Sequence, residues 1–173
     1  MLTLPRYSQY LDVADPTWQP RACGIVALKT VFDYWSGIHD TPTMNALIQE
    51  GLALNGFIPG IGWKHQALVD IAHAHGYAAK RYDWSKDDPV EAWERLCAKI
   101  KNGPAIASIH MNLCPTSPDG HLVVVHTINA IVHYHDPARK DRNQISQETS
   151  TANFVNGWKR RVILIYPQKS VHS

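Results

Sequence analysis

Residues 22–35 read ACGIVALKTVFDYW. Ile25, Leu28, Val31 with Phe32, and Trp35 recur at the three-to-four spacing of a helix that buries one face. Val26, Ala27 and Tyr34 make the other sides apolar too, so this helix is expected inside the protein rather than on it. Helices ordinarily open on Ser, Thr, Asp or Asn, whose side-chain oxygen accepts a free backbone N–H. Here the opening position holds Cys23, followed by Gly24. The free N–H groups and dipole at a helix start favour negative charge, and a thiolate is a negative charge. Such a location lowers a cysteine's pKa towards that of a useful nucleophile. The plain alternative is a small buried hydrophobe, since free cysteine is among the most buried residue types. Gly24 would keep a side chain from crowding a substrate carbonyl that approaches the sulfur.

The chain around this helix has 173 residues, enough for one well-buried core, and a single domain over 1–173 is expected. Apolar residues at 45% and charged residues at 18% fit a compact globule and exclude a disordered chain. A net charge of +2 gives no electrostatic footprint for nucleic acid or an anionic membrane, so neither is an expected partner. The N-terminal MLTLPRYSQYLDVADP lacks a basic region followed by a long apolar run, so no signal peptide is read there. No apolar stretch approaches the roughly 20 residues that span a bilayer. Cys23, Cys97 and Cys114 are too few, and odd in number, for a disulfide framework. A reduced, cytoplasmic protein is expected, with no oligomer specified.

Residues 1–21, punctuated by Pro5, Pro16 and Pro20, read as irregular or extended. TPTMNALIQEGLALNG is expected to be a second helix, started by Thr41 or Thr43 and stopped by Gly56. IPGIG reads as a loop, and WKHQALVDIAHAHGY as a third helix ending at Gly76. YAAKRYDW is a short strand and DDPVEAWERLCAKIKNG a helix, with Cys97 on its apolar side beside Ala92, Trp93, Leu96 and Ile100. AIASIH, HLVVVHTI, IVHYH and RRVILIYP are β-runs, while residues 137–150 look like a polar, exposed excursion. Helices first and antiparallel strands later predict an α+β fold with helices against one side of a sheet.

A nucleophilic thiolate wants a histidine to take and return a proton, and a third group to orient it. His121 opens HLVVVHTI directly after a turn, where a side chain can face a cleft. If the two strands of DGHLVVVHTINAIVHYHDPA close on a two-residue turn, Asn129–Ala130, Asp136 lies opposite Val123, two residues from His121 on the same face. That diagonal is about 7–8 Å, within reach of longer side chains. A slip of one residue would move Asp136 to the other face. Alone, His121 also reads as a polar residue at a loop end. The same register pairs His126 with His133 and sets His135 on that face, which reads as a polar, hydrogen-bonded sheet face or as a Zn²⁺ or Ni²⁺ site. His73 and His75, two apart on a helix, point to different sides and cannot share an ion.

ACGIVALKTVFDYW, GHLVVVHTI and HDPA, in that order, resemble the papain-like bacteriocin-processing (double-glycine leader) peptidases and their standalone relatives. Those proteins carry a Cys at the start of the central helix, a His opening a strand, an Asp in a following DP step, and a Gln upstream of the Cys. LPRYSQYLDV is similar to the family's Pro–aromatic–Gln segment and points to Gln9, and FVNGWKRRVILIYP is similar to its closing helix-turn-strand. Gln9 stands 14 residues before Cys23, and Gln19, four before it, is a competing donor; the family's frequent CGP is CGI here. The resemblance implies the papain-like cysteine proteinase fold, a central N-terminal helix packed with other helices against an antiparallel sheet. It further implies Cys23 as nucleophile, His121 as general base and acid, Asp136 as orienter, and Gln9 or Gln19 with the Cys23 N–H as oxyanion donors. An acyl-enzyme would pass to water, giving peptide or amide hydrolysis, or to an amine, giving acyl transfer. A peptide or protein substrate and no cofactor are implied. The leader-cleaving members belong to exporters with an ATPase domain, which these residues lack, so leader specificity is not carried over. A catalytically silent peptide-binding module and a histidine-rich metal-binding protein are the readings of another class. Trp18, Trp63 and GFIPGIGW would either line a substrate cleft or anchor core and loops.

Overall fold

The computed structural model describes residues 3–37 and 40–168. Helix α1 (Cys23–Ser36) is buried at every position from Gly24 to Asp33, as its all-round apolar surface predicts. Its two charged residues are satisfied inside the protein, as burial requires. Lys29 Nζ lies 2.8 Å from Asp33 Oδ1, and the Tyr7 hydroxyl donates to Asp33 Oδ2 at 2.6 Å. Helix α2 (Met44–Ala53) starts on Thr43, whose hydroxyl accepts the Ala46 N–H. Helix α3 (His65–Ala74) stops before Gly76, which adopts φ +78°.

Between α2 and α3 the expected loop is a small hairpin, β1 (Phe57–Ile58) with β2 (Gly62–Trp63), whose turn uses Gly60 and Gly62 at positive φ. Strands of two residues are too short for an alternating pattern to show in the sequence. The main sheet comprises β3 (Tyr77–Asp83), β4 (Ala105–His110), β5 (Gly120–Ile128), β6 (Ile131–His135), β7 (Ser146–Ser150) and β8 (Trp158–Pro167). Its order is β3-β8-β4-β5-β6-β7, and all neighbours run antiparallel. Helix α4 (Pro89–Ile100), capped by Asp88, precedes β4, and α5 (Thr151–Gly157), capped by Ser150, precedes β8.

Helices cover both faces of this sheet, not one. Ile106, Leu122, Val124, Ile163 and Ile165 pack with α1 and α3. Alternate residues Ala105, Ala107, Val123, Val125, Val162 and Leu164 pack with Ala92, Leu96 and Ile100 of α4 and Phe154 of α5. The central strands are apolar on consecutive residues, and a sheet apolar on both faces must be covered twice. Cys97 is half-buried at the margin of α4's packed face. Part of the 137–150 excursion is β7, an edge strand whose polar SQETS is ordinary for an edge. Among the described residues no helix is long and apolar enough to cross a membrane.

Candidate active site

The N-cap position of α1 is Ala22, which offers no side-chain oxygen, and Cys23 is the first helical residue. The thiol thus sits in the first turn, among N–H groups that lack a partner within the helix. Gly24 has a packing role. A Cβ there would come within 3.1–3.2 Å of Leu122, Leu68 and Trp63 side-chain atoms. The missing side chain lets the start of α1 press directly onto β5 and the β2–α3 junction.

Near the site the β5–β6 hairpin has the register expected from the sequence, Val124 opposite His135 and Val125 opposite Tyr134. Nearer the turn, Thr127 faces His133 and Ile128 faces Val132, so His126 does not pair with His133. The one-residue slip is absorbed by a bulge at His126, and the Asp136 end keeps its register. His121 Nε2 lies 2.6 Å from Asp136 Oδ1, with both side chains buried. Asp136 also accepts the Ala138 N–H at 2.9 Å and the Arg139 Nε–H at 2.7 Å. With Nε2 engaged by the carboxylate, the other ring nitrogen of His121 is left for the Cys23 sulfur.

The charges follow from this chain of contacts. Burial pushes the Cys23 thiol up. The hydrogen bond and charge of His121, with the backbone N–H groups of Leu122 and Gly24, outweigh burial and hold it below the usual thiol range. Burial pushes His121 down, but its bonds to Asp136 and Cys23 and their charges lift it to about 9. Asp136, although buried, is held below the ordinary carboxylate value by His121, the Ala138 N–H and Arg139. The three groups favour thiolate, imidazolium and carboxylate in sequence.

The two glutamines separate cleanly. Gln9 is 3% exposed and lines the cleft that holds Cys23 and His121. Its backbone N–H donates to Pro137 O at 2.8 Å, while its buried Oε1 has no hydrogen-bond partner among the described residues. Gln19 instead spends its Nε2 on the Val13 carbonyl at 2.9 Å, away from the cleft. The cleft, about 910 Å³, is walled by Phe57, Ile61 and Trp63 of the β1–β2 hairpin and by Lys159 and Arg161 of β8. Trp18 stands behind that hairpin, its ring centroid 5.1 Å from Phe57 and 5.7 Å from Trp63.

The clustered imidazoles do not form a metal site. His126 lies 5.1 Å from His135 and 6.2 Å from His133, ring centre to ring centre. Both nitrogens of His135 are occupied, by Pro5 O at 2.9 Å and Ser146 Oγ at 3.1 Å. Among the described residues no group of three His, Cys, Asp or Glu side chains is placed to hold an ion. His73 and His75 have separate partners, the Ala79 carbonyl and Glu50. Arg139 and the Ala138 N–H also fix Asp136, and the one signal for them in the sequence is the run DPARK, which places an arginine three residues after the carboxylate.

A cysteine at the start of a central helix, facing a histidine on an adjoining antiparallel sheet, defines a papain-like fold. The chain belongs to the Peptidase_C39 like family, whose profile matches residues 1–163. Family membership supports a cysteine peptidase. Among solved structures it is similar to a double glycine motif protease from an AMS/PCAT transporter, in complex with the leader peptide. That match has 18% identity and a TM-score of 0.63, and covers 96% of this chain and 94% of the other. It is also similar to the peptidase domain of Streptococcus ComA, a bi-functional ABC transporter involved in a quorum sensing pathway. Here identity is 18% and the TM-score 0.59, over 86% of this chain and 93% of that domain. No curated protein matches the chain.

Proposed function

We propose that this protein, as one domain over residues 1–173, is a peptidase that hydrolyses peptide bonds through Cys23, His121 and Asp136. The observation that carries the reading is the buried His121, bound on one side to Asp136 at 2.6 Å and turned on the other to a thiol in the first turn of α1. In the reaction the Cys23 thiolate attacks the amide carbonyl carbon, and the carbonyl electron pair moves to oxygen. The Cys23 N–H and the Gln9 side-chain amide donate to that oxyanion. His121 passes its proton to the departing amine nitrogen as the C–N bond breaks, leaving a thioester. A water then attacks the thioester and gives a proton to His121, and the C–S bond breaks to restore thiolate and imidazolium.

One structural neighbour holds a leader peptide. From that we take only the class, a peptide or protein substrate, without the double-glycine preference. Three unpaired cysteines fit a reducing compartment, and the cytoplasm is the proposed location. The test is the alkylation rate of each cysteine by iodoacetamide from about pH 4 to 9, in wild type and His121→Ala, read by mass spectrometry. Cys23 should react well below the pH at which a free thiol does, and His121→Ala should shift its profile upward. A peptide library digested by wild type but not by Cys23→Ser completes the case. An inert Cys23, with no cleavage, would instead favour a silent peptide-binding module.

A further inference from the structure

Strand β8 does not run straight past the cleft. Ser108 of β4 pairs with Arg161, yet the next residue, Ile109, pairs with Trp158. Lys159 and Arg160 are therefore looped out between them. Arg160 takes φ +55°, a left-handed conformation that is unfavourable for a residue with a Cβ. Neighbouring groups hold it there. The Arg160 guanidinium donates to the Ser85 carbonyl at 2.8 Å, and the Arg160 carbonyl accepts the Trp84 N–H at 2.8 Å. Bulges of this kind re-aim a side chain, and they recur beside active sites.

The re-aimed side chain is Lys159. It lines the cleft that contains Cys23 and His121, and its ammonium lies over Gly120, the residue before His121. A Cβ on Gly120 would stand 3.1 Å from Lys159 Nζ, so the bare glycine lets the ammonium settle close over the backbone there. Lys159 is half-buried and has no carboxylate partner among the described residues. Arg161, two residues on, also borders the cleft, next to His65. The acids of this neighbourhood are Asp83, already engaged by Arg161 at 2.9 Å, and Asp119. His65 reports the balance: burial first, then Arg161, Arg81 and Lys159, hold its pKa down against the pull of Asp83. Arg161 is balanced by Asp83, which leaves the Lys159 ammonium as the cation of this end without an ion-pair partner among the described residues, and the anions that peptides carry are carboxylates.

We infer that Lys159, seconded by Arg161, binds a carboxylate that the substrate carries close to the bond presented to Cys23. The inference rests on the proposed cysteine chemistry and adds a substrate class to it: peptides with an acidic side chain, or a free C-terminus, beside the scissile bond.

Two matched pairs of bromoacetyl reagents test it, each read as the alkylation rate at Cys23 relative to a free thiol. One pair is bromoacetyl-glutamic acid amide against bromoacetyl-glutamine amide; the other is bromoacetyl-diglycine as free acid against its amide. In wild type at least one acid should react about fivefold faster than its neutral partner, the size expected of one solvated charge contact. The advantage should fall near parity in Lys159→Gln and reverse in Lys159→Glu. It should also shrink in wild type as salt rises from about 20 mM to about 500 mM. An advantage in the first pair names an acidic side chain as the source, and in the second a terminal carboxylate. Equal rates within both pairs, or an advantage kept in both variants, overturn the inference while Cys23 remains a nucleophile. A Cys23 inert to all four reagents overturns the proposed function and the inference with it.

Discussion

In the proposed reaction His121 is the pivotal residue, because the bonds and charges of both Asp136 and Cys23 favour its protonated form. Lifted to about 9, it stays protonated through the neutral range, while Cys23 is ionised below the usual thiol range. On the acid side the thiolate is lost as pH falls through the Cys23 value. On the alkaline side the proton needed by the leaving amine is lost as pH rises through about 9. A bell-shaped kcat/KM profile with those two limbs is expected, and the limbs belong to the coupled pair. Asp136→Asn removes a charge that raises His121 and should move the alkaline limb down by about one to three pH units. An unmoved limb in the pH profile would show that Asp136 does not set the imidazole. Losing one oxyanion donor costs about 2.7–4 kcal/mol, so Gln9→Ala should lower kcat by about 10²–10³. Gln19→Ala, whose amide only holds the Val13 carbonyl, should cost at most about 1 kcal/mol in melting and leave kcat near wild type. The reverse ranking in steady-state kinetics would reassign the donor.

At the scale of elements, glycines mark where backbones are pressed together, and their cost depends on what they touch. A Cβ at Gly24 meets the ends of Leu122 and Leu68, which can shift a little, and the Cβ of Trp63. At Gly157 it would lie 2.5 Å from Leu113 Cα and 2.7 Å from Leu113 O, both backbone atoms of a turn already at φ +56°. Gly157→Ala should therefore destabilise by about 3 kcal/mol and Gly24→Ala by about 1 kcal/mol, compared in urea titrations. Equal losses would mean that the 111–113 turn yields. Such contacts are invisible in a linear pattern, whereas α1 is legible because it is apolar on every side and opens on a thiol. The two strands of the β5–β6 hairpin are legible too, but their site end matches the expected register only because the bulge at His126 offsets a one-residue difference at the turn. The bulges at His126 and at Lys159–Arg160 are not legible, because nothing in the residue types distinguishes a looped-out position from a paired one. Nor is the second helical layer, since LVVV and VILI declare two apolar faces but not which helices will cover them.

Over the whole molecule, the segment before α1 works as a strap between the helical side and the far end of the sheet. Tyr7 holds α1 through Asp33, and Pro5 O receives the His135 ring at 2.9 Å. The Gln9 N–H meets Pro137 O, and Ser8 Oγ donates to Arg139 O at 2.5 Å. Arg142 closes the far side on Arg6 O at 2.7 Å and on Asp12 at 2.9 Å. The strap thus grips the Asp136–Arg139 turn that fixes the carboxylate, and it delivers Gln9 to the cleft in the same span. The family resemblance points to Gln9 with Gln19 as a competing donor, and this cross-chain bonding explains how a residue so far upstream of Cys23 comes to line the cleft that holds it. Ser8 is fully buried and does not line the cleft, and its hydroxyl also accepts the Tyr10 and Leu11 N–H groups. Ser8→Ala would leave those donors and the Arg139 carbonyl unpaired, at a cost of about 1–3 kcal/mol. If the strap positions both sides of the site, hydrogen exchange should quicken at residues 8–12 and 136–139 together. The kcat should then drop in the manner of Gln9→Ala while KM moves little, because Ser8 touches no substrate and acts only through what it holds. Faster exchange confined to 8–12, with kcat unchanged, would show that the turn carrying Asp136 keeps its place without the strap, and that Gln9 reaches the cleft by its own packing.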